Sequence, residues 1–439
     1  MKPFQKPTEH SVNRRHFLKT TSAAGLGLAG GLHLTNTASA AEGDTLKIAL
    51  IGCGGRGTGA ASQALNTGNV KLVAMADPFE RGLQSSLDIL KKQHPAKVDV
   101  PKEQQFTGFE GYKQAIALAD VALLTAPPGF RPIHFEEAVR QGKHAFLEKP
   151  VAIDAPGVRR LLAASAEAKK KNLKVGVGLQ RRHKPGYIEM VKRLQDGAVG
   201  DILSMRCYWR GGARAGLFKE PGETELQYQI RKWYFFTWLS GDHIVEQHIH
   251  NIDVINWIKD AHPIRAHGMG GRQVRLGSEH GQIFDHHFVE YEYADGSRLY
   301  SQCSQIPQMW NTVSEHVQGT HGAADLGDGR NQFVIRGKNA WRFQSETRVD
   351  PFQQEHDDLF DAIRRDKPFN EADYGALSTM TAIMGRMATY SGKLVEWDEA
   401  FNSRQELMPS HLEWNSPPMV LPDAEGNYPV AIPGKTVAL

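Results

Sequence analysis

The segment from Leu46 to Gly57 has the sequence LKIALIGCGGRG, an apolar run of strand-forming residues followed at once by a glycine-rich turn. The next segment, AASQAL at residues 60–65, is typical of a helix. The order of strand, Gly-x-Gly-x-x-Gly and helix is the one that a dinucleotide-binding unit requires, because glycines let backbone amides approach a pyrophosphate at the positive end of the helix. We therefore predict that the dinucleotide contacts Gly52, Gly54, Gly55, Arg56 and Gly57.

A second strand-like run, VKLVAMA at residues 70–76, ends at Asp77, twenty residues beyond Gly57. A carboxylate at this place accepts hydrogen bonds from the adenosine ribose hydroxyls and repels a 2′-phosphate. Asp77 could instead cap the helix that starts near Pro78, and the two roles are compatible. We predict NAD as the cofactor rather than NADP, although Arg56 or Arg81 could offset the repulsion.

Strand-like and helix-like segments continue to alternate as far as residue 178. The predicted strands cover residues 121–124, 144–147 and 174–178, and the predicted helices cover 79–92, 132–141 and 158–171. This alternation predicts an α/β fold with a doubly wound parallel sheet. Ligands bind at the carboxyl ends of the strands in such a sheet. The side chains that follow those ends are Thr125, Pro127, Glu148 and Lys149.

The first 41 residues have the features of an export signal. Arg14 and Arg15 precede an apolar segment rich in Gly and Ala that ends in the small residues ASAA at 38–41. This arrangement resembles a twin-arginine translocation signal, with Asn13 where Ser or Thr is usual. The alternative is an anchor that stays attached. We expect removal of residues 1–41 and a periplasmic or otherwise exported protein without a membrane partner.

Charge and cysteine content exclude several classes of function. The formal net charge of +3 arises in the leader, since the residues beyond 41 carry 47 basic and 48 acidic side chains. This nearly neutral part of the chain has no excess of positive charge that would attract nucleic acid, and we expect no nucleic-acid partner. Cys53, Cys207 and Cys303 are widely spaced, which predicts buried or half-buried thiols rather than a disulfide framework or a thiolate zinc site.

Residues 142–150, GKHAFLEKP, resemble the Glu-Lys-Pro signature of the Gfo/Idh/MocA superfamily of glucose-fructose oxidoreductase and inositol dehydrogenase. The glycine loop, Asp77, the Ala-Pro-Pro segment before His134 and Gln180-Arg181-Arg182 stand in the family's order. The resemblance implies a Rossmann domain at 45–179 and an α+β substrate and oligomerisation domain at 180–401, assembled as a homodimer or homotetramer. It also implies that His134, Glu148 and Gln180 contact the cofactor, and that Lys149 stands beside the nicotinamide and the substrate hydroxyl.

The family's second signature is an acid followed four residues later by a histidine, which Glu246 and His250 match. This spacing predicts one shared helical face, with Asp253 one turn further on. The resemblance implies that His250 is the general base and that Glu246 assists it. The chain departs from the family in its His243 and His248. We expect no metal, and the alternative is an ion held by Asp242, His243, Glu246 and His250.

The remainder of the second domain predicts an open antiparallel sheet. Strand-like segments cover residues 202–210, 264–274, 284–293, 298–306 and 313–319, with a hairpin turn at Asp295-Gly296, and helices are predicted at 355–364 and 376–389. An aromatic and basic cluster precedes the histidine segment, and it either stacks on sugar rings or packs in a core or dimer interface. The predicted substrate residues are Arg182, Arg231, Trp233, Tyr234 and His250. Residues 402–439 predict an extended arm lying over a neighbouring subunit.

Export restricts the chemistry, because the compartment outside the inner membrane holds no pool of free nicotinamide nucleotide. We therefore predict an oxidoreductase that transfers hydride from a sugar, glycoside or cyclitol to tightly held NAD. One alternative is an NAD-dependent glycosidase or epimerase that acts through a 3-keto intermediate. Another is a non-catalytic carbohydrate-binding protein with a structural dinucleotide. A dehydrogenase with exchangeable cofactor would require an uncleaved or inactive leader.

Overall fold

A computed structural model describes residues 45–212, 214–327, 333–344, 348–409 and 411–438 of the chain. The predicted export signal at residues 1–41 lies outside them. Within the described residues, no helix has the length and apolar character needed to cross a bilayer.

The first domain is built on a parallel sheet. Within the described residues its six strands, β1 to β6, are Leu46–Ile51, Val70–Asp77, Gln105–Thr107, Val121–Leu124, His144–Leu147 and Val175–Val177. Their order is β3-β2-β1-β4-β5-β6, so the strand order reverses between β1 and β4 and a ligand crevice opens at that edge. The predicted doubly wound sheet is confirmed. The short β3 was not predicted, since a three-residue half-buried strand shows no clear periodicity.

Helices pack on this sheet, which is why its strands are nearly continuous apolar runs. The helices α1 to α5 are Gly55–Asn66, Glu80–Gln93, Gly111–Ala117, Arg131–Arg140 and Ala155–Lys170. The predicted helices at 79–92, 132–141 and 158–171 are confirmed to within three residues at each end. The side chain of Asp154 caps α5 by accepting a hydrogen bond from Gly157, and this starts the helix earlier than its apolar pattern indicates.

The second domain contains a mixed, mostly antiparallel sheet. Its described strands, β7 to β15, are Ile202–Arg210, Arg265–Gly271, His286–Glu292, Arg298–Ser304, Thr312–Gly319, Gly322–Gly327, Val334–Gly337, Trp341–Arg342 and Val395–Glu396. Their order is β14-β13-β12-β11-β7-β10-β9-β8-β15. Consecutive strands β10 and β11 run in opposite directions with β7 between them, so β7 must be parallel to one, and that one is β10. Every other described pair in this sheet is antiparallel.

The helices α6 to α13 are Pro185–Gln195, Glu225–Arg231, Thr237–Ser240, His243–Glu246, Ile249–Lys259, Pro351–Arg364, Ala372–Ser391 and Trp397–Phe401. Helices α10 and α12 pack on this sheet, whereas α11 packs on α1 and β6 of the first domain. The prediction that Glu246 and His250 share one helix is wrong, because the i→i−4 hydrogen-bond pattern is interrupted between α9 and α10, where His248 N donates to His243 O and His250 N donates to Gln247 O. Gln247 is held there by a hydrogen bond from Gln305, and His248 is held by Ser301 on β10. These contacts with the sheet outweigh the local helical preference.

The tail after α13 has little regular structure and packs on its own chain, while its predicted contact with a neighbouring subunit stays a prediction. The backbone amide of Leu407 donates to Asp154, and Trp414 lies against Phe79 with ring centroids 5.2 Å apart. Further along, the hydroxyl of Tyr428 donates to Glu225 on α7. The tail therefore crosses from the first domain to the second on the surface of one subunit.

The three cysteines are free and buried, as predicted. Burial raises the pKa of the Cys207 thiol and of the Cys303 thiol well above the ordinary value, so both remain protonated at neutral pH. They behave as small apolar side chains in the core.

A buried histidine holds the turn that follows β6. His183 Nδ1 lies 2.6 Å from Asp358 Oδ2, and Nε2 lies 3.2 Å from Glu371 Oε1. Burial lowers the pKa of His183, but its bonds to these two acids outweigh burial and raise the pKa to about 10. The charged imidazole thus links the turn at residues 180–183 to the helices α11 and α12.

This network predicts pH-dependent stability. Because the pKa of His183 in the folded chain, about 10, exceeds its unfolded value, its stabilising contribution is complete below about pH 6.5 and is lost as the pH rises through 10. His183→Gln should therefore lower the free energy of unfolding by roughly 1–3 kcal/mol at pH 6 and by much less at pH 10. Urea denaturation at the two pH values measures the difference, and an equal loss at both would contradict the assignment.

Candidate active site

The glycine loop between β1 and α1 is shaped for a ligand. A Cβ at Gly52, where φ is +94°, would lie 2.4 Å from the nitrogen of Ala126, and one at Gly57 would lie 2.1 Å from Gly52 O. A Cβ at Gly54 or Gly55 would meet nothing within 4 Å. Two glycines are thus needed for packing, and two leave open space above the loop.

The start of α1 fits an anion. Gly54 is its N-cap residue, no side chain caps it within the described residues, and its first turn carries no acid. The free N–H groups at the start of a helix attract a phosphate through hydrogen bonds and the helix dipole. The predicted pyrophosphate site at Gly54 and Gly55 therefore fits the residues present.

Thr125 holds the start of the glycine loop through hydrogen bonds of its hydroxyl group. Its hydroxyl lies 3.0 Å from Ile51 O and 2.7 Å from Gly52 O, at the carboxyl ends of two neighbouring strands. Pro127 follows and begins the short turn that leads into α4. The predicted position of Thr125 at the crevice is right, but its hydroxyl is used to hold the loop.

Asp77 lies at the end of β2, where the ribose is predicted. Its Oδ2 accepts a hydrogen bond from Cys53 N at 2.7 Å, and its Oδ1 accepts one from Phe79 N at 2.9 Å. Burial raises the pKa of this carboxyl, and the two backbone bonds partly offset the rise. The carboxylate is therefore fixed between the glycine loop and the start of α2, and each oxygen keeps a lone pair for a ribose hydroxyl.

Arg56 reaches across the crevice to the Glu-Lys-Pro segment. Its Nε lies 2.6 Å from Glu148 Oε1, and its guanidinium lies 5.1 Å from the ring centroid of Phe352.

The side-chain oxygen of Gln180 is buried and has no hydrogen-bond partner in the described residues. An unpaired buried acceptor is costly, so Gln180 is well suited to accept a hydrogen bond from a ligand.

Lys149 lies at the centre of the site, after β5. Its Nζ donates to Glu246 Oε1 at 3.0 Å and to the backbone oxygen of Glu246 at 2.5 Å. Only 14% of the lysine side chain and 10% of the glutamate side chain are exposed, so solvent screens this ion pair little. The contact joins the parallel sheet of the first domain to α9 of the second.

His250 lies on the first turn of α10 and packs on Trp209, with ring centroids 5.7 Å apart. Burial lowers its pKa well below the ordinary value, and the positive charges of Lys149 and Arg181 lower it further. Its Nδ1 has no partner in the described part of the chain. The ring is therefore a neutral imidazole close to the ammonium of Lys149, although the helix that was predicted to carry both Glu246 and His250 is broken.

Tyr234 is the predicted substrate residue that is connected to this centre. Gln305 Nε2 donates to the Tyr234 hydroxyl at 2.6 Å and to Gln247 Oε1 at 2.7 Å, and Gln247 follows Glu246. Trp233 packs edge-on against the ring of Tyr234, with centroids 5.7 Å apart. The aromatic cluster thus extends from a core to the edge of the site.

The structure does not bring three other predicted residues to Lys149. Arg182 forms a two-pronged ion pair with Asp253 and lies over Tyr374, 3.8 Å from the ring centroid. Arg231 pairs with Glu223 beside α7. His134 packs between Tyr112 and Phe130 at 4.2 and 5.8 Å, and burial lowers its pKa to about 3. All three side chains therefore contact neighbouring residues of their own domain instead of Lys149.

The sequence did not predict two buried arginines at the site. Arg131 donates to the backbone oxygens of Leu124 and Ala126, at 2.6 and 2.9 Å, and to Pro150 O at 3.3 Å. Arg386 donates to Ile153 O and Gly241 O, at 2.8 and 3.1 Å, on either side of the crevice. An arginine that binds carbonyl groups carries no sequence signal, because its partners are backbone atoms of any residue.

Comparison with known proteins agrees with this geometry. Residues 46–179 match a family described as "Oxidoreductase family, NAD-binding Rossmann fold", and residues 187–325 match the "GFO/IDH/MocA C-terminal domain". The chain belongs to the GFO/IDH/MocA family. It is accordingly an NAD-dependent oxidoreductase, and the residues around the glycine loop fit that cofactor.

Individual similar proteins show how far the likeness extends. An inositol 2-dehydrogenase of Ralstonia nicotianae is 26% identical over 289 residues, which are 65% of this chain and 74% of that protein. A glycosyl hydrolase family 109 protein of Shewanella pealeana is 29% identical over 214 residues, 44% of each chain. The structure of a Lactobacillus casei scyllo-inositol dehydrogenase with bound NAD(H) and scyllo-inositol has a TM-score of 0.62 at 19% identity, covering 81% of this chain and all of that one.

The role of Thr125 is testable by an isosteric change. Thr125→Val removes the hydroxyl that holds Ile51 O and Gly52 O, so we expect NAD affinity to fall about three- to tenfold, the equivalent of one hydrogen bond. Calorimetric titration of cofactor-depleted protein measures this. The matched control is Thr67→Val, which removes a hydroxyl bonded to Ala64 O at the other end of α1 and should leave affinity unchanged. Equal losses in both variants would disprove the role.

Proposed function

We propose that the protein is exported and oxidises a hydroxyl of a sugar, glycoside or cyclitol, with hydride passing to NAD that stays bound. The observation that carries the proposal is the Lys149 ammonium, which is held by Glu246 beside a neutral His250 at the crevice that leads to the glycine loop. The inositol dehydrogenase relatives support a polyol as the substrate class.

In this proposal Lys149 binds the substrate hydroxyl. An ammonium in a site with little water stabilises the negative charge that develops on the oxygen as its proton leaves. Glu246 accepts two hydrogen-bond contacts from Nζ, through its carboxylate and its backbone oxygen, and so fixes the direction of the third N–H. Bound NAD supplies the hydride acceptor.

His250 takes the hydroxyl proton. Because burial and neighbouring cations lower its pKa, the ring is unprotonated and available as a base at neutral pH. Trp209 packs against one face of the ring and limits its rotation. Tyr234, connected through Gln305 and Gln247, is the substrate contact that we retain in the proposal.

The tail supports a retained cofactor. Trp414 lies 5.2 Å from Phe79 and 4.6 Å from Phe109, measured between ring centroids. Phe79 lies two residues beyond Asp77, and Phe109 is also close to Phe130 after β4. These rings cluster near the edge where a Rossmann fold binds adenosine, so the tail would hinder cofactor release. Retention is what an exported enzyme with the twin-arginine leader would need.

A redox-neutral glycosidase is the second candidate, and the Shewanella pealeana relative favours it. Oxidation at C3 acidifies the neighbouring C2–H. Once His250 has released the hydroxyl proton to solvent, it removes the C2 proton as the C1 substituent leaves, water adds across the resulting C1–C2 double bond, and the hydride taken from C3 returns to C3. We further propose a homodimer or homotetramer, since the second sheet exposes apolar side chains such as Leu203 and Met269 on its strands. A carbohydrate-binding protein with structural NAD is the outcome if no sugar reduces the bound nucleotide.

Purified full-length protein tests the proposal. Nucleotide released on denaturation is identified by mass spectrometry, and sugars and cyclitols are added to the native protein while the reduced-nicotinamide absorbance is followed. Lys149→Ala and His250→Ala should each slow reduction about 10²- to 10⁴-fold and leave the nucleotide bound. Lys143→Ala, at the opposite end of β5, is the control and should keep the wild-type rate. Wild-type rates in both site variants would disprove the catalytic assignment.

Retention of the bound nucleotide by the tail gives a separate prediction. Trp414→Ala should increase the rate of cofactor loss roughly three- to tenfold, the value of an aromatic contact. Nucleotide content after timed dialysis and gel filtration is the measurement. The control, Leu421→Ala, changes a tail residue that is 65% exposed and should have no effect. If the two variants lose cofactor at the same rate, the tail does not retain it.

A further inference from the structure

Three buried side chains of the types that bind metal ions lie close together where the start of α9 meets the second sheet. Asp242, His243 and His287 are at most 3% exposed, and one ligand atom of each lies within 4.8 Å of the other two. Asp242 Oδ1 is 3.3 Å from His287 Nε2 and 3.9 Å from His243 Nε2. Two imidazoles and one carboxylate form a ligand set of divalent transition metals.

The environment of His287 orients it as a metal ligand. Its Nδ1 lies 2.9 Å from the hydroxyl of Thr389, which is within hydrogen-bond distance of the backbone oxygens of Gly385 and Arg386. With the hydroxyl hydrogen directed at those oxygens, Thr389 accepts from Nδ1–H. Nε2 of His287 then carries a lone pair that faces Asp242. An outer hydrogen bond of this kind fixes the tautomer in most metal-binding histidines.

Asp242 is fixed in the same way. Its Oδ2 accepts hydrogen bonds from Phe284 N at 2.9 Å and from the Tyr390 hydroxyl at 2.6 Å, while Oδ1 faces the two imidazoles and accepts from His243 N. The backbone of Asp242 has φ of +76° and ψ of +161°, a conformation that is strained for a residue with a Cβ. Such strain is maintained where the surrounding structure needs the side chain in one place.

His243 supplies the observation that points to a ligand. It is 1% exposed, and neither ring nitrogen has a hydrogen-bond partner within the described residues. Leaving a buried polar atom unpaired costs about 1–3 kcal/mol. His356 is unpaired in the same way, but of these two histidines only His243 has, among the described residues, a second imidazole and a carboxylate with ligand atoms within 4.8 Å. The ring lies against His287, with centroids 4.8 Å apart.

We propose that Asp242, His243 and His287 bind one divalent first-row transition ion, with the chemistry of Zn²⁺. Ligand atoms around tetrahedral zinc are about 3.3–3.5 Å apart, so the Asp242–His287 distance of 3.3 Å already fits, and His243 has to move closer to both partners. This set differs from the alternative raised by the sequence, since Glu246 is bound to Lys149 and His250 packs on Trp209.

The charges around the cluster come from several elements. Arg272 and Arg275 follow β8, and Asp285 precedes β9 and accepts hydrogen bonds from the amides of residues 273–275. Arg275 directs its guanidinium to Phe284 O and to Gln305, the residue that holds Gln247. The two arginines are offset by Asp285 and Asp242. The ion would tie the start of α9 to β9 and so position Glu246 four residues later.

The first test is metal analysis of the full chain, purified without a metal-affinity tag. We expect about one transition ion per chain, its removal by a strong chelator, and rebinding of Zn²⁺ with a rise in the melting temperature. Co²⁺ added to the chelator-treated protein should give visible absorption bands of a nitrogen- and oxygen-ligated site. Absence of both rebinding and Co²⁺ bands in the wild-type protein would overturn the proposal without any variant, and neither readout depends on nucleotide or sugar.

Variants locate the site. His243→Ala and His287→Gln should lower metal occupancy at least tenfold at equal free Zn²⁺. The matched control is His356→Ala, because His356 is fully buried, has two unpaired ring nitrogens and packs on Phe146 in the other domain. It should keep the metal despite a similar loss of buried contacts. Equal metal loss in the control, or unchanged occupancy in both cluster variants, would disprove the assignment.

Discussion

Lys149 and Glu246 come from different domains, and the 3.0 Å contact between them is the constraint on which the site depends. A half-buried ion pair adds little net stability, because the cost of removing both charges from water nearly cancels their attraction. Loss of one partner is expensive, since the other charge is then buried and unpaired. The pair therefore serves mainly to position the ammonium, and it does so only when the ends of β5 and α9 are both fixed in place.

Buried arginines provide that fixation. Arg131 binds three backbone oxygens at the ends of β4 and β5, and Arg386 binds backbone oxygens on both sides of the crevice. Burial lowers the pKa of Arg131 to about 10, so the side chain remains charged at neutral pH. Charge-assisted hydrogen bonds to carbonyl groups are strong in a medium of low dielectric, and here they join the ends of strands that carry the site.

The same burial sets the protonation state of the histidine that the chemistry requires. It lowers the pKa of His250 and so keeps the ring neutral, while the Lys149 side chain is held in place by the Glu246 carboxylate. Arg56 and Glu148 pair on the other side of the crevice, so the polar groups around the cofactor position are oriented before any ligand enters.

Local patterns in the sequence determined the parallel sheet, the glycine loop, the acid at the end of β2 and the position of Lys149. Each follows from neighbours in the chain, through apolar periodicity or a short motif. Tertiary structure decided what depends on distant segments. Gln305 and Ser301 break the helix between Glu246 and His250, Asp253 binds Arg182 away from the site, and β9 brings His287 to Asp242. No local pattern shows these contacts, because they form only when strands far apart in the chain pair in one register and the helices pack on the resulting sheet.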